Sequence, residues 1–100
     1  MLLIFKKFNL PTNYNNLSAY ERRLVRDQYT EEQNGLCMYC NQPLTLDPPK
    51  SITDKPINWD LFPPNFLKYP VHLQHCHNTG MTEGAVHAYC NAVMWQYEGK

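Results

Sequence analysis

Cys37, Cys40, His87 and Cys90 are the residues whose types and spacing most directly imply chemistry. Two residues separate the members of each pair, a spacing that lets a tight turn aim both side chains at one tetrahedral ion. Thiolates with an imidazole favour Zn²⁺, and four protein ligands leave no open position, so such an ion would be structural. Disulfides are the competing use of these cysteines. The cytosol is the expected compartment, and it keeps thiols reduced; Cys37 and Cys40 are also too close for an ordinary structural bridge. Cys76, His72, His75 and His77 are further donors. His87 and Cys90 converge within one turn, whereas Cys76 would have to reach the ion alone, so Cys76 reads as a small buried apolar residue.

A staple is what a chain of 100 residues calls for, since so short a domain buries little surface. The sequence reads as a single domain spanning 1–100. Its formal net charge is zero, so composition gives no electrostatic argument for nucleic acid. Lys6, Lys7, Arg22, Arg23 and Arg26 nevertheless gather five of the nine basic residues near the start. The simplest reading of that cluster is a solvated helix face. Met1 to Phe5 are apolar, but the run is too short for a signal peptide or a membrane span, and no membrane association is expected.

These donors must be positioned by elements that the pattern also predicts. Residues 1–16 form an arm, irregular or strand-like, with Pro11 and four Asn marking turns. Ser18 followed by Glu21 is a capping box, and Leu17, Tyr20, Leu24 and Val25 recur at helical spacing, predicting a helix over 18–29. Thr30 and Gln33 repeat the capping pattern and predict a separate short turn, ended by Gly35 in a left-handed conformation. Seven of the eight prolines fall between Pro43 and Pro70, which excludes a regular helix or a central strand. This 43–70 insertion also carries Trp59, Phe62, Phe66 and Tyr69. It is either a covering loop plugged by Trp59 and Phe62 or a surface for DNA, for a second copy of the chain or for another protein. Residues 71–76 alternate as a strand, Asn78 to Gly80 form a turn, and residues from about 84 onward pass from strand into helix. The fold class is α+β.

Between the two cysteine pairs lies His75-Cys-His77-Asn-Thr-Gly80, and Asn91 follows Cys90 directly. The run from Leu73 to Gly84, closing on His-Ala-Tyr-Cys-Asn91, resembles the HNH nucleases, and among them the phage recombination endonuclease VII group. Glu32-Gln-Asn-Gly-Leu-Cys37-Met-Tyr-Cys40 is similar to the approach to the first cysteine pair in that family. Together these cover about a quarter of the chain.

The resemblance implies a small zinc-stapled ββα-metal domain with an N-terminal helix. It implies a metal-dependent endonuclease hydrolysing phosphodiester bonds in duplex or branched DNA, acting in the host cytoplasm if phage-encoded. His75 would be the general base, Asn91 would orient or hold the catalytic cation, and His77 would contact phosphate or assist the metal. That cation would be Mg²⁺ or Mn²⁺, or Ni²⁺. Junction or double-strand cleavage needs two active sites, hence a homodimer or larger complex. The family usually places an acidic ligand just before the histidine base, and here that position is Gln74. Three outcomes follow from this departure: Gln74 ligates through its amide oxygen, His72 or His77 takes the position with a softer metal, or catalysis is lost and the scaffold binds nucleic acid or a protein.

Overall fold

A computed structural model describes residues 8–99. The start of the arm, with Lys6 and Lys7, lies outside the described residues. The elements are α1 (Ala19–Glu32), α2 (Lys50–Thr53), β1 (Val71–His75), β2 (Thr82–His87) and α3 (Ala88–Glu98), with 3-10 turns at Tyr14–Asn16 and Trp59–Leu61. Both helices and strands are present, and the sheet has two antiparallel strands, so the α+β expectation holds.

Helix α1 begins where the sequence says it should. Ser18 Oγ accepts from the Glu21 backbone N–H at 3.1 Å, and Glu21 Oε1 accepts from the Ser18 N–H at 2.9 Å. A cap of this kind is worth about 1 kcal/mol. The second, separate turn predicted at Thr30 does not form. Thr30 Oγ1 donates to the Arg26 carbonyl at 2.9 Å, so its hydroxyl serves the helix interior instead of capping a new one. The helix therefore runs on to Glu32. It ends in a Schellman arrangement, Gly35 N–H to Thr30 O at 2.8 Å and Asn34 N–H to Glu31 O at 3.1 Å. Asn34 takes the first left-handed position (φ 57°) and Gly35 the second (φ 76°).

The hairpin pairs Val71 with His87 and Gln74 with Gly84, then slips by one residue so that His75 faces Thr82. Glu83 is the extra residue, and the bulge it creates sits beside His75. The sheet is held to α1 by two side chains. Tyr29 Oη and Thr82 Oγ1 lie 2.9 Å apart, and Thr82 Oγ1 also accepts the Thr12 N–H at 2.9 Å. Gln33 pairs with both backbone groups of Ala85, each at 2.9 Å.

Gly84 is needed for that contact. A Cβ there would lie 2.7 Å from Gln33 Oε1 and 2.7 Å from Met38 Sδ. Met38 can move, but Gln33 is held by Ala85 and by the Leu36 carbonyl at 2.7 Å. Gly84→Ala is therefore expected to destabilise the fold by about 1–3 kcal/mol, read as a lower denaturant midpoint at unchanged slope. An unshifted midpoint would show that the α1 to β2 contact is loose.

The 43–70 insertion is more ordered than its prolines suggest. Lys50–Thr53 makes one helical turn behind Pro49, whose φ of −63° suits that position. Proline excludes a long helix here, and a single turn fits between Pro49 and Pro56. Leu44 and Ile52 enter the core with Val25, Tyr29, Val86, Val93 and Met94. Tyr89 Oη donates to the Thr53 and Lys55 carbonyls at 3.1 Å each, and the Gln96 amide bridges Asn58 N–H and Pro56 O. Trp59 is not a buried plug, since 40 % of it remains exposed. It leans edge-on against Tyr89, while Phe62 packs against Trp95 and Phe66. No helix among the described residues is long and apolar enough to cross a membrane.

Candidate functional site

The first cysteine pair lies on a turn closed by the bridge between Leu36 and Pro43, with Asn41 at φ 65° completing it. The second pair spans the junction of β2 and α3, so His87 leaves the strand and Cys90 lies in the first turn of the helix. The four ligand atoms of Cys37, Cys40, His87 and Cys90 come within 4.8 Å of one another. His87 Nδ1 is 3.4 Å from Cys40 Sγ and 3.6 Å from Cys90 Sγ. Around a tetrahedral zinc with bonds of about 2.3 Å to sulfur and about 2.0 Å to nitrogen, that separation is about 3.5 Å. The set could hold a metal ion, and its spacing is compatible with zinc.

The surroundings prepare the donors. His87 Nε2–H donates to the Pro43 and Leu46 carbonyls at 2.9 and 2.8 Å, which leaves Nδ1 as the free lone pair. The Tyr39 and His87 backbone N–H groups each donate to Cys37 Sγ at 3.4 Å. Without a cation, Cys37 is the thiol that ionises first. Its hydrogen bond with Cys90, helped by the backbone N–H donors and opposed by burial, brings its pKa below the ordinary thiol range. The same bond, burial and the neighbouring sulfur charges push Cys90 up. All four cysteines of the chain are free thiols. Cys76 is outside this set, and it is not the buried apolar residue expected. It is half-buried where β1 enters the turn, and its hydrogen bond with Thr79 lowers its pKa.

A separate cleft of about 600 Å³ opens between α1, β1 and the first turn of α3. It is lined by Arg22, Arg23 and Arg26, by His72, His75 and His77, and by Gln74 and Asn91 among others. The structure thus brings together His75, His77, Gln74 and Asn91, which the sequence singled out. It also puts three arginines beside them, where a solvated helix face was the simplest reading. The chain has nine Asp and Glu residues, and none lines this cleft.

His75 is half-buried and stacks flat on Tyr14, with ring centroids 3.8 Å apart and planes 7° apart. The Arg22 guanidinium lies 3.8 Å from the Tyr14 centroid, and its Nε–H donates to the Tyr14 carbonyl at 3.2 Å. Burial, then the charges of His77 and Arg22, hold His75 below the usual imidazole range, although a hydrogen bond to the Leu73 carbonyl and the charge of Glu83 work the other way. His75 is accordingly a neutral base near pH 7.

Asn91 does not meet His75. Its Nδ2 donates to His72 Nδ1 at 3.0 Å, and His72 in turn bonds the Phe66 carbonyl and packs edge-on against the Phe66 ring. Burial, and then Arg26, keep His72 below its ordinary pKa, which preserves the Nδ1 lone pair that Asn91 uses. With the amide nitrogen so engaged, the Asn91 Oδ1 is left as acceptor. Gln74 is 2 % exposed, and its Nε2 donates to the His75 carbonyl at 3.1 Å and to Glu83 at 3.3 Å.

Sequence reasoning missed Tyr14 as the platform under His75 and offered His72 only as a substitute ligand. No local pattern marks Tyr14, because it meets His75 only through the fold. The donors along the cleft are imidazoles and amides without a carboxylate. Such a set does not fit Mg²⁺ or Mn²⁺, which want hard, charged oxygens, and among the described residues only the donors of Cys37, Cys40, His87 and Cys90 converge closely enough to hold an ion. No family model, curated protein or solved structure matches the chain.

Proposed function

We propose that this chain is a zinc-stapled HNH-type phosphodiesterase acting on DNA, with Cys37, Cys40, His87 and Cys90 holding a structural zinc. The carboxylate-free cleft carries this reading. In a chain of zero net charge, three arginines and three histidines surround one hollow with no acidic residue in its lining. An anion is the natural occupant, and a phosphodiester is the anion for which a neutral histidine base is useful.

In this reading Arg22, Arg23 and Arg26 face the phosphate, Arg26 while its guanidinium pairs with Asp27 at 3.0 Å. His75 takes a proton from water as the water oxygen bonds to phosphorus and the opposite P–O bond breaks. Tyr14 holds the His75 ring in place, His77 hydrogen-bonds the phosphate oxygens, and Asn91 accepts through Oδ1 from a water or hydroxyl beside them. The leaving oxygen takes its proton from solvent, and the arginines balance the charge that develops on it.

The test is incubation with supercoiled plasmid and with branched DNA in Mg²⁺, Mn²⁺ or Ni²⁺, beside His75→Ala. Nicking that the variant loses supports the enzyme. No nicking in any metal, or equal nicking by His75→Ala, would sink it. A second reading, a binding module without catalysis, is favoured by the engagement of Gln74 with Glu83 and the His75 carbonyl where a ligand would be expected. It predicts DNA binding without cleavage.

Both readings require phosphate contacts. Arg23 is exposed at the cleft, so Arg23→Ala should leave the fold intact and lower the slope of log affinity against log salt by about 1. A slope equal to wild type would remove Arg23 from the contact surface.

A further inference from the structure

The cleft is not lined by charge alone. Phe66 and Tyr69 belong to the same lining as Arg22, Arg23 and Arg26. Phe66 also lines an adjoining hollow of about 280 Å³ with Trp59, Pro63, Pro64 and Leu67. A cationic cleft and an aromatic hollow therefore adjoin at Phe66. Phe66 is the half-buried floor between them, fixed by its contacts with His72 and Phe62 at centroid distances of 4.7 Å each. Its neighbours are open to solvent: Tyr69 is 60 % exposed, Leu67 47 % and Trp59 40 %. Lys68 Nζ lies 5.5 Å from the Tyr69 ring, adding a fourth cation beside the aromatic wall.

Duplex and unpaired strands would use this surface differently. A duplex offers phosphates to the arginines but keeps its base faces stacked inside, leaving Tyr69 and Trp59 in water. An unpaired strand offers phosphates and π faces at alternating positions, which is the combination that a positively charged groove with aromatic side chains selects. We infer that the cleft takes an unpaired segment of nucleic acid, its phosphates along Arg22, Arg23 and Arg26 and its bases against Tyr69 and the Trp59 hollow. This rests on the phosphate-binding reading above and adds the substrate class. The insertion is then the part of the chain that distinguishes a strand from a duplex, and unpaired strands flanking a branch would be drawn to it.

The experiment is fluorescence anisotropy of zinc-loaded protein, without other divalent ions, on labelled oligothymidylate and on a duplex of equal length. The expected result is tighter binding of the single strand. Tyr69→Ala should weaken that binding about 10-fold while leaving duplex binding within about twofold, and Tyr69→Phe should retain it. Tyr69 is exposed, so its loss should not unfold the chain, and circular dichroism of the variant checks this.

Equal affinity of wild type for both forms, or an equal loss on both in Tyr69→Ala, would overturn the inference. So would a dimer in sedimentation that Tyr69→Ala dissociates without altering DNA binding, since the aromatic wall would then be an interface between copies. Duplex binding that still weakens in Arg23→Ala, with no preference for the single strand, would end this inference and leave the phosphate cleft standing. Binding of neither form would end both.

Discussion

If Cys37, Cys40, His87 and Cys90 hold a structural zinc as proposed, stripping it is expected to abolish the cooperative unfolding transition of this chain. Cys37 and Cys90 are fully buried and belong to the same cluster as Val25, Val86 and Val93. The ligand set joins the turn after α1 to the start of α3, so losing the ion releases both from each other. A structural zinc contributes about 10–16 kcal/mol in small domains, which equals or exceeds the entire stability of a typical fold of this size, about 5–15 kcal/mol. The ion-free site would also leave thiols and an imidazole in the core without charge compensation. A strong chelator should therefore flatten the thermal melt followed by circular dichroism, and Cys90→Ser should do the same without chelator. Cobalt substitution should show the intense visible bands of a tetrahedral thiolate site. A metal-free protein that melts cooperatively at the wild-type temperature would refute the scaffold role.

Under the proposed phosphodiesterase function, His75→Ala is expected to lower the rate of cleavage by about 10²–10⁴-fold, with little change in DNA affinity. The pH profile gives a second, sharper check. Burial, His77 and Arg22 hold the folded His75 below the usual value of 6.5. A base with a lowered pKa is active once deprotonated, so kcat/KM should rise with pH through a midpoint below 6.5 and stay flat through neutrality. Tyr14→Ala should act in the same direction but less strongly, because it removes the stacked platform and leaves the base. An inflection well above 6.5, or a profile unchanged in His75→Ala, would assign the base to another group.

Local signals carried much of this. The capping box at Ser18 and Glu21 starts α1 as read, and the strand, turn, strand, helix order at the end of the chain is the order observed. Both depend on residues within a few positions of one another. The same locality explains the failures. Thr30 with Gln33 matches a capping box as well as Ser18 with Glu21 does, but packing of Tyr29 against Thr82 carries the helix past it. Cys76 reads as buried by residue type, and its place at the exposed end of a hairpin overrides that.

The candidate metal ligands are the clearest contrast with the cleft. Two residues between donors is a chelation rule that any chain obeys, so Cys37, Cys40, His87 and Cys90 could be paired before any fold was known. Which nitrogen of His87 binds needed the structure, because the Pro43 and Leu46 carbonyls that occupy Nε2 come from another segment. The cleft depends on the tertiary structure almost throughout. Histidine and asparagine in register marked His75, His77 and Asn91, but charge summed over a neutral chain concealed three arginines gathered on a cleft with no acidic residue in its lining. Net charge is additive and blind to position, whereas a field depends on distance. Only the packing of α1 against the hairpin brings Arg22, Tyr14 and His75 into one stack.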